Sequence, residues 1–402
     1  MPTVLFINSA QNLYSTGKIV EQIGEAASRK GWNCYVAACA RYRRPSKMNE
    51  IPMGTILSEK IHAVNSVLFD NHGLGSTAAT NRLIDTIEKI NPDIVNIHNI
   101  HGYYINYKIL FSYLSTKSIP IVLTMHDCWN FTGHCVHFDK INCFKWKQQC
   151  NNCPLTNTYP KSFIDRSERN FKLKKQLFTS VPNMTLAPVS HWLGEVASHS
   201  FLGKYPVHVI QNGIDLEVFK PLPSSLREKY NIGNKFVILG VASHFGKSKG
   251  LEEFVRLSED MPEIKVILVG ASPSEIKALP REILAISRTQ NQQEMVEFYS
   301  IADVFVNPTY EDTFPTTNLE SLACGTPVIT YETGGSPEAI DEETGIVVPK
   351  GDYDKLLSAI CEIKNKGKQY YSRKCRSRAE RLFNKIERFQ EYVSLFEELI
   401  NK

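Results

Sequence analysis

Residues 307–338, NPTYEDTFPTTNLESLACGTPVITYETGGSPE, constrain the fold of this 402-residue chain more than any other stretch. An apolar run at 304–306 predicts a buried strand that leads into a proline-containing loop, and a helical pattern begins near Thr316. The Gly-Thr-Pro sequence that follows ends this helix, and an apolar run at 328–330 predicts the next strand. Strand, helix and strand in this order are the repeating unit of a doubly wound α/β fold, in which ligands bind at the carboxyl ends of the strands.

The loop between the first strand and the helix suits a ligand that carries phosphate and sugar. The first N–H groups of a helix have no partner within it, and the positive end of its dipole lies there, so a helix N-terminus holds anions. Glu320, about one turn into the helix, has two oxygens that can accept bonds from two sugar hydroxyls. An ordinary turn with solvated acidic residues is the alternative. The predicted contacts to a nucleotide-sugar are Glu311, Asp312, Phe314, Pro315, Thr316, Thr317, Asn318 and Glu320.

Several features of this region resemble the retaining glycosyltransferases of family 4. In that family two carboxylates separated by seven residues precede an A-C-G-T-P-V run and a G-G-x-x-E turn, and residues 312–338 follow the same order. The first carboxylate of the family is usually glutamate, whereas this chain has Asp312 at that spacing and Glu311 one residue before it. Either of these two side chains could contact the donor sugar and act in catalysis.

The resemblance implies an α/β fold of the GT-B type, with two facing Rossmann-like domains and a cleft between them. It also implies transfer of a hexosyl or N-acetylhexosaminyl group from a nucleoside-diphosphate-sugar to a hydroxyl, with retained anomeric configuration and no cofactor required for catalysis. We expect an acceptor-side domain at 1–190, a donor-binding domain at 191–372, and C-terminal helices at 373–402, the last of which packs on the first domain. The N-G-I-D run at 212–215 marks the crossing between domains in the family.

The first half of the chain places histidines at the ends of predicted strands. A strand at 93–97 leads to His98 and His101, and a strand at 121–124 leads to His126. By resemblance, His126 is a catalytic residue that hydrogen-bonds the transferred sugar. His98 and His101 are candidates for contacts to the acceptor, and the alternative is that both are structural.

Three further turns are candidates for donor contacts. Thr16 and Gly17 follow the first strand, where glycine lets the backbone approach a phosphate, although a plain helix start is equally compatible. Lys249 matches the family lysine that faces the β-phosphate and contributes to catalysis, and Lys247 is a candidate to replace a family arginine that this chain lacks. A solvated lysine pair is the alternative. In the family a later loop, here near Arg288, contacts the base.

A cysteine-rich insertion at 127–160 carries no helical or strand pattern. Long irregular loops in compact domains are usually functional or otherwise stabilised. A C-x-x-C pair lies in this insertion, and four thiolates can hold a structural zinc ion in tetrahedral geometry. Reduced cysteines that only pack are the alternative. The candidate zinc ligands are Cys135, Cys143, Cys150 and Cys153.

Composition excludes several other classes of protein. The formal net charge of +4 is small for 402 residues and gives no argument for nucleic acid as a partner. The chain has no run of about eighteen apolar residues and its start lacks a basic region, so we expect a cytoplasmic protein. A basic helix predicted at 161–178 is a candidate for peripheral contact with the anionic inner face of the cytoplasmic membrane, and an ordinary surface helix is the alternative.

Two segments narrow the expected function. Residues 98–106 and 126–135 resemble bacterial enzymes of capsule, colanic-acid or O-antigen assembly, whose acceptors are lipid-linked oligosaccharides. The expected partners are therefore a nucleoside-diphosphate-sugar and a glycan or lipid-linked glycan. A nucleotide-sugar epimerase of the same fold is one alternative. The altered arginine position leaves open a second alternative, a catalytically degenerate protein that only binds a nucleotide-sugar.

Overall fold

Two parallel sheets organise the chain in this computed structural model, which describes residues 1–402. The chain divides into two units, the first comprising Met1–Gln211 with Arg388–Lys402 and the second comprising Asn212–Glu387. Each unit contains one six-stranded sheet, and both sheets are parallel throughout.

The strand order is the same in the two sheets. The first sheet has the order β3-β2-β1-β4-β5-β6 and the second has the order β9-β8-β7-β10-β11-β12. Each order reverses once, between β1 and β4 and between β7 and β10, and ligands of doubly wound folds bind beside that reversal. The strands are β1 Thr3–Asn8, β2 Asn33–Cys39, β3 Asn49–Met53, β4 Ile94–Ile97, β5 Ile121–Met125, β6 Met184–Pro188, β7 Val237–Val241, β8 Lys265–Val269, β9 Leu284–Ile286, β10 Val304–Asn307, β11 Val328–Tyr331 and β12 Gly345–Val348.

Helices connect these strands and cover the sheets, which is why most central strands read as continuous apolar runs. The helices of the first unit are α1 Tyr14–Arg29, α2 Ile56–Phe69, α3 Thr77–Ile90, α4 Tyr107–Leu114, α5 Ser167–Phe178 and α6 His191–Ser198. The later helices are α7 Leu226–Lys229, α8 Leu251–Asp260, α9 Pro273–Ala278, α10 Gln292–Ile301, α11 Thr316–Ala323, α12 Tyr353–Lys366, α13 Lys368–Leu382 and α14 Lys385–Ile400. No helix is long and apolar enough to cross a membrane.

The end of the chain completes the core of the first unit. From α14, Phe389, Tyr392 and Phe396 are buried in the same cluster as Phe6 of β1 and Trp32. The ring centroid of Phe396 lies 6.2 Å from that of Phe6 and 5.9 Å from that of Trp32. Arg388–Lys402 is therefore part of the first unit, although it is separated from the rest of that unit in sequence by the whole second unit.

The boundaries differ from those expected at 190 and 372. The chain from α6 to Gln211 stays with the first unit because it bonds along β6: His208 donates its backbone N–H to Leu186 O at 2.9 Å, and Ile210 donates to Pro188 O at 3.1 Å. Helix α13 belongs to the second unit, where Arg376 donates to Ala323 O at 3.1 Å. The C-terminal helices do not form a group of their own.

The basic segment expected as a helix at 161–178 is helical only from Ser167. Its Lys174 is buried, and the Nζ atom donates to Trp129 O at 2.7 Å and to Thr132 O at 3.0 Å. Lys172, which is exposed, pairs with Glu168 at 2.6 Å. Lys174 therefore points into the protein, whereas Lys172 and Lys175 of α5 are exposed.

Candidate active site

Three loops meet at the carboxyl ends of β7, β10 and β11 in the second unit. Lys249, in the loop after β7, places its Nζ atom 2.9 Å from Asp312 Oδ2, 3.1 Å from Glu311 O and 3.2 Å from Thr309 Oγ1. The structure thus brings together the cation and the acidic loop that the sequence assigned to the donor. In this arrangement Asp312 holds Lys249 at the sheet edge, where a bound phosphate could share the ammonium charge.

Two glycines allow these loops to approach each other. Gly334 has φ +52°, and a Cβ atom there would lie 1.8 Å from Asp312 O. Gly250 has φ +68°, and its Cβ would lie 2.5 Å from Pro308 O. Tyr310 also donates its backbone N–H to Ser248 O at 2.9 Å. The loops are therefore packed backbone against backbone, which fixes the position of the Lys249 and Asp312 pair.

The N-terminus of α11 follows the same loop. Pro315 precedes it, no side chain caps it, and Thr316 and Thr317 are only partly buried. A helix start without a capping side chain can donate N–H groups to an anion, as the sequence predicted.

Two of the predicted donor residues use their side chains for packing instead. Asn318 is fully buried, where its Oδ1 accepts from Asn307 Nδ2 at 2.9 Å and its Nδ2 donates to Ser336 O at 3.2 Å. Phe314 is buried, with its ring centroid 6.0 Å from that of Phe383. At these two positions only the backbone is available to a ligand.

Glu320 is oriented by a tyrosine that the sequence did not indicate. The hydroxyl of Tyr299, on α10, donates to Glu320 Oε2 at 2.9 Å. Burial, with the neighbouring carboxylate, raises the pKa of Tyr299 well above its ordinary value, so the hydroxyl keeps its proton and remains a donor. Nothing in the local sequence marks Tyr299, because only the packing of α10 beside α11 brings it to the carboxylate.

Lys247 and Arg288 lie apart from this cluster. Lys247 is exposed, and its Nζ atom is 3.4 Å from Glu252 Oε1. Arg288 is exposed in the loop after β9, an edge strand separated from β7 by β8. Lys247 thus contacts a surface carboxylate rather than the acidic loop, and Arg288 lies at the carboxyl edge of the sheet.

In the first unit, a chain of hydrogen bonds runs through His126 and His98. His98 Nδ1 is 2.9 Å from His126 Nε2, and His98 Nε2 is 2.8 Å from Asn96 Oδ1. The Nδ2 atom of Asn96 donates to Val122 O at 3.0 Å and to Thr124 Oγ1 at 2.9 Å, so its Oδ1 is the acceptor. His98 must then donate from Nε2 and accept at Nδ1, and His126 must donate from Nε2.

The imidazole rings of His126 and His98 are both neutral at physiological pH. Burial lowers the pKa of His126 to about 4, against a smaller opposing effect of Asp127, and burial lowers the pKa of His98 well below its ordinary value. A neutral His126 that donates from Nε2 has Nδ1 as its acceptor. It can accept a hydrogen bond from a hydroxyl at that atom, and it carries no charge.

His101 belongs to a separate group with Asp127. His101 Nε2 lies 2.6 Å from Asp127 Oδ2, and the backbone N–H of Trp129 donates to Asp127 Oδ1 at 2.8 Å. Burial opposes ionisation of Asp127, but the charge and hydrogen bond of His101 and the Trp129 bond together lower its pKa to about 2. His101 Nδ1 is 3.2 Å from the hydroxyl of Tyr159.

A cavity of about 670 Å³ opens at the strand reversal of the first unit. Its wall includes Thr16 and His101, both placed near a ligand by the sequence, and the aromatic side chains Tyr42, Tyr103 and Tyr159. Gly17 packs instead against its own loop, where a Cβ atom would lie 3.1 Å from Ala10 O. His98 is buried and bonds His126, an arrangement that orients the His126 ring.

The cysteine-rich insertion does not contain a pre-arranged zinc site. All ten cysteines are free thiols, and no group of three or more His, Cys, Asp or Glu side chains is arranged to hold a metal ion. The side chains of Cys135 and Cys153 hydrogen-bond to each other, whereas Cys143 and Cys150 do not complete a ligand set with them. Zinc binding stays a prediction, which about one zinc per purified chain would support and metal-free folded protein would contradict.

Family comparison identifies the class of protein that this fold and these loops define. The chain matches the model of Glycosyltransferase Family 4 over residues 16–218 and that of Glycosyl transferases group 1 over residues 235–366. The protein is thus a glycosyltransferase, as predicted. More particularly, because the first match spans half of the chain, it belongs to glycosyltransferase family 4.

Individual relatives agree with this assignment. The putative colanic acid biosynthesis glycosyl transferase WcaC of Escherichia coli is 24% identical over 289 residues, which span 69% of this chain and 69% of that protein. Sucrose-phosphate synthase from Thermosynechococcus elongatus superposes with a TM-score of 0.76 at 18% identity, covering 100% of both chains. Anabaena HepE in complex with UDP superposes with a TM-score of 0.70 at 14% identity, covering 99% of this chain and 100% of that chain. The structural likeness confirms the predicted GT-B class of fold.

Proposed function

We propose that this glycosyltransferase moves a sugar from a nucleoside diphosphate to a hydroxyl of a glycan acceptor, with retention of the anomeric configuration. The observation that carries the proposal is the placement of Lys249 and Asp312 beside the start of α11, which no side chain caps. A cation and helix N–H groups at one sheet edge suit a diphosphate, and the solved complex of HepE with UDP supports the same class of donor.

Charge stabilisation at the leaving group is the central task of such a reaction. As the bond between the sugar C1 and the β-phosphate oxygen breaks, negative charge grows on the diphosphate. Lys249 and the first N–H groups of α11 would stabilise that charge without a metal ion. Glu320, held by Tyr299, would bind the ribose hydroxyls, and Asp312 or Glu311 would bind the hexose.

The contacts of the two carboxylates support a mechanism without an enzyme nucleophile. Asp312 is paired with Lys249, and Glu320 accepts from Tyr299, so both are engaged as binding groups rather than placed as enzyme nucleophiles. Front-face attack by the acceptor hydroxyl, with its proton passing to the departing phosphate oxygen, retains the configuration without a covalent enzyme intermediate. Neutral His126 would accept a hydrogen bond from a hydroxyl of the transferred sugar.

The acceptor that we propose is a lipid-linked oligosaccharide of bacterial surface polysaccharide assembly. The likeness to a colanic acid biosynthesis enzyme supports this assignment. The cavity beside His101, with its tyrosine-rich wall, suits the stacking of a sugar face on an aromatic ring.

Thermal stabilisation by a panel of UDP-, GDP-, ADP- and dTDP-sugars, measured with EDTA present, tests donor binding. A ligand that binds only the folded protein raises its unfolding midpoint. We expect the protein to bind the nucleotide-sugars of one base selectively. Lys249→Ala should weaken the binding of that donor by about tenfold to a hundredfold, because a charge-assisted contact is lost. Lys355→Ala, on the exposed face of α12, is the matched control and should bind as the wild type does.

The fate of the donor separates the three candidate functions. A transferase consumes the donor only when acceptor is supplied, and proton NMR of the product shows the retained configuration. An epimerase would convert the donor without acceptor, and a binding protein would be stabilised by the donor without consuming it. Absence of stabilisation by any donor would contradict the proposed site.

A further inference from the structure

Helix α2 is built with its polar side inwards. Glu59, His62 and Ser66 are buried against the first unit, where Glu59 Oε1 accepts the backbone N–H of Ala40 and His62 Nε2 accepts that of Gly75 at 3.0 Å. Surface helices of globular proteins normally bury their apolar stripe and expose their polar one. In α2 Glu59 and His62 have partners inside the protein, and the apolar stripe is on the outside.

The outward side of α2 is a continuous apolar surface. Leu57, Ile61 and Val64 are 68%, 56% and 57% exposed, and Leu68 and Phe69 continue the same side to the end of the helix. The neighbouring Phe163 is 70% exposed and is tied to α2 by its backbone N–H, which donates to Val67 O at 2.8 Å. We call this the α2 surface: Leu57, Ile61, Val64, Leu68, Phe69 and Phe163.

Three cations and one carboxylate flank the α2 surface. Lys60 is the only charged residue on the exposed side of the helix. Lys161 lies with Nζ 5.7 Å from the ring centroid of Phe163, and the guanidinium of Arg166 lies 5.9 Å from that of Phe69. The nearby carboxylate of Asp165 is already bonded to the backbone N–H groups of Cys153 and Ser167. The surface is therefore apolar and rimmed by cations.

We propose that the α2 surface docks the protein on an anionic lipid bilayer. An apolar helix face with basic residues at its rim is the pattern that lies at a membrane interface, where the side chains enter the headgroup region and the cations meet lipid phosphates. A second copy of this chain is the poorer occupant, because a twofold contact would bring the cationic rim of one copy against the cationic rim of the other.

Docking at this surface also indicates that the acceptor is anchored in the membrane, an inference that rests on the proposed function. Lys60, Ala63 and Val64 of α2 belong to the wall of the 670 Å³ cavity, so the cavity and the α2 surface share one helix. A protein docked through α2 places that cavity at the level of the headgroups. The glycan of a membrane-anchored acceptor then reaches the cavity while its lipid stays in the bilayer.

Flotation with vesicles tests the docking directly, with phosphatidylcholine alone compared with phosphatidylcholine containing phosphatidylglycerol. We expect the wild type to bind the anionic vesicles, and we expect the triple variant Leu57→Gln, Ile61→Gln, Leu68→Gln to lose at least about tenfold of that binding. Lys161→Glu should weaken binding to anionic vesicles while leaving the apolar side chains in place. None of these four residues lines the cavity.

Two matched controls separate α2 from other surfaces. Lys172→Glu with Lys175→Glu removes exposed cations from α5, the basic helix picked out by sequence, and should leave vesicle binding unchanged. Ile386→Gln removes an exposed isoleucine far along the chain and should also have no effect. Equal loss of binding in the α5 variant and the α2 variant would overturn the assignment to α2.

Stabilisation by the nucleotide-sugar distinguishes failure of this inference from failure of the proposed function. The triple variant should keep the unfolding midpoint and the donor-induced shift of the wild type, and should lose activity towards acceptor in vesicles but not towards a soluble acceptor. Failure of the wild-type protein to bind anionic vesicles would overturn the docking proposal. So would a dimer in light scattering that the triple variant dissociates, because the α2 surface would then be covered by a second copy.

Discussion

At the scale of single residues, Tyr299 shows how one buried hydroxyl can position a ligand-binding carboxylate. Its hydroxyl donates to Glu320 Oε2 at 2.9 Å, and the rest of the side chain is fully buried. Tyr299→Phe should therefore leave the fold intact at a cost of about 1 kcal/mol while releasing the carboxylate from its orientation. We expect the donor KM to rise by roughly tenfold with a smaller change in kcat, measured by steady-state kinetics.

Tyr353→Phe is the matched control for this prediction. Tyr353 is also buried and donates to a carboxylate, Asp260 Oδ2, at 2.8 Å, but on α12. It should lose a similar amount of stability without any change in donor KM. If both variants raised the donor KM equally, the effect of Tyr299→Phe would be one of general stability rather than of positioning.

His62 supplies a pH dependence whose sign can be worked out. Burial lowers its pKa to about 4, from about 6.5 in the unfolded chain, and its Nε2 accepts the N–H of Gly75 at 3.0 Å. Below pH 6.5 His62 is protonated in the unfolded chain, whereas in the folded protein it stays neutral down to about pH 4. The free energy of unfolding should therefore fall as the pH drops through that window, by up to about 1.4 kcal/mol per pH unit for this group.

Urea unfolding of wild type and His62→Gln between pH 6.5 and pH 5 measures this contribution. The glutamine variant keeps an acceptor for Gly75 but cannot titrate, so its stability should fall less steeply than that of the wild type. The same change at exposed His199 is the matched control. Identical slopes for wild type and His62→Gln would show that His62 is not held neutral by the fold.

At the scale of elements, the turn after β11 fixes the acidic loop through Gly334. This residue needs φ +52° and has no room for a Cβ atom, which would lie 1.8 Å from Asp312 O. Gly334→Ala should cost roughly 3 kcal/mol or more and displace the loop that holds Lys249, so the donor-induced thermal shift should fall. Gly233→Ala isolates the backbone effect, because Gly233 has φ +61° with nothing within 4 Å of its Cβ position.

The two alanine variants should differ in their effect on donor binding as well as in the stability that they lose. Gly233→Ala should cost about 1 to 2 kcal/mol from backbone strain and leave the donor shift of the remaining folded protein unchanged. A Gly334→Ala protein that bound the donor normally would contradict the view that close loop packing sets the site. Circular dichroism and calorimetry on both variants supply the stability side of the comparison.

The sequence predicted the strands and the helix start whose positions are set by hydrophobic periodicity and by turn residues. It placed β1, β4, β5, β10 and β11 and the start of α11, because buried parallel strands are short apolar runs bounded by turn residues. It missed α2, whose apolar positions face outwards and whose buried positions are Glu59, His62 and Ser66. It named the basic segment at 161–178 as a candidate for membrane contact but could not show that Lys174 is buried, because that burial depends on carbonyl groups from a distant loop.

Site residues followed the same division. Lys249, Asp312 and Glu320 lie in segments that a sequence motif can mark, and the structure places Lys249 and Asp312 in contact. Asn318 lies in the same motif, but its side chain bonds Asn307 of β10 and Ser336, which the packing of α11 against these segments determines. Tyr299 carried no local signal at all. Long-range packing, which a single sequence does not display, decided both of these outcomes.

At the scale of the whole molecule, the end of the chain divides its packing between the two units. Phe383 is buried in the second unit beside Phe314, with ring centroids 6.0 Å apart, whereas Phe396 is buried in the first unit against Phe6 and Trp32. Each truncation to alanine should remove about 3 to 5 kcal/mol, as for other buried phenylalanines. Phe396→Ala should destabilise the sheet of the first unit and Phe383→Ala that of the second, although both residues lie in one C-terminal stretch.

Hydrogen exchange read by mass spectrometry can locate each loss. Phe396→Ala should speed exchange in β1 and β4 and leave β10 and β11 as in the wild type, whereas Phe383→Ala should do the reverse, because local opening follows the unit whose core is weakened. If either variant speeded exchange equally in all four strands, the two units would unfold as one cooperative block. The division of the chain after Gln211 and before Arg388 would then describe its geometry but not its energetics.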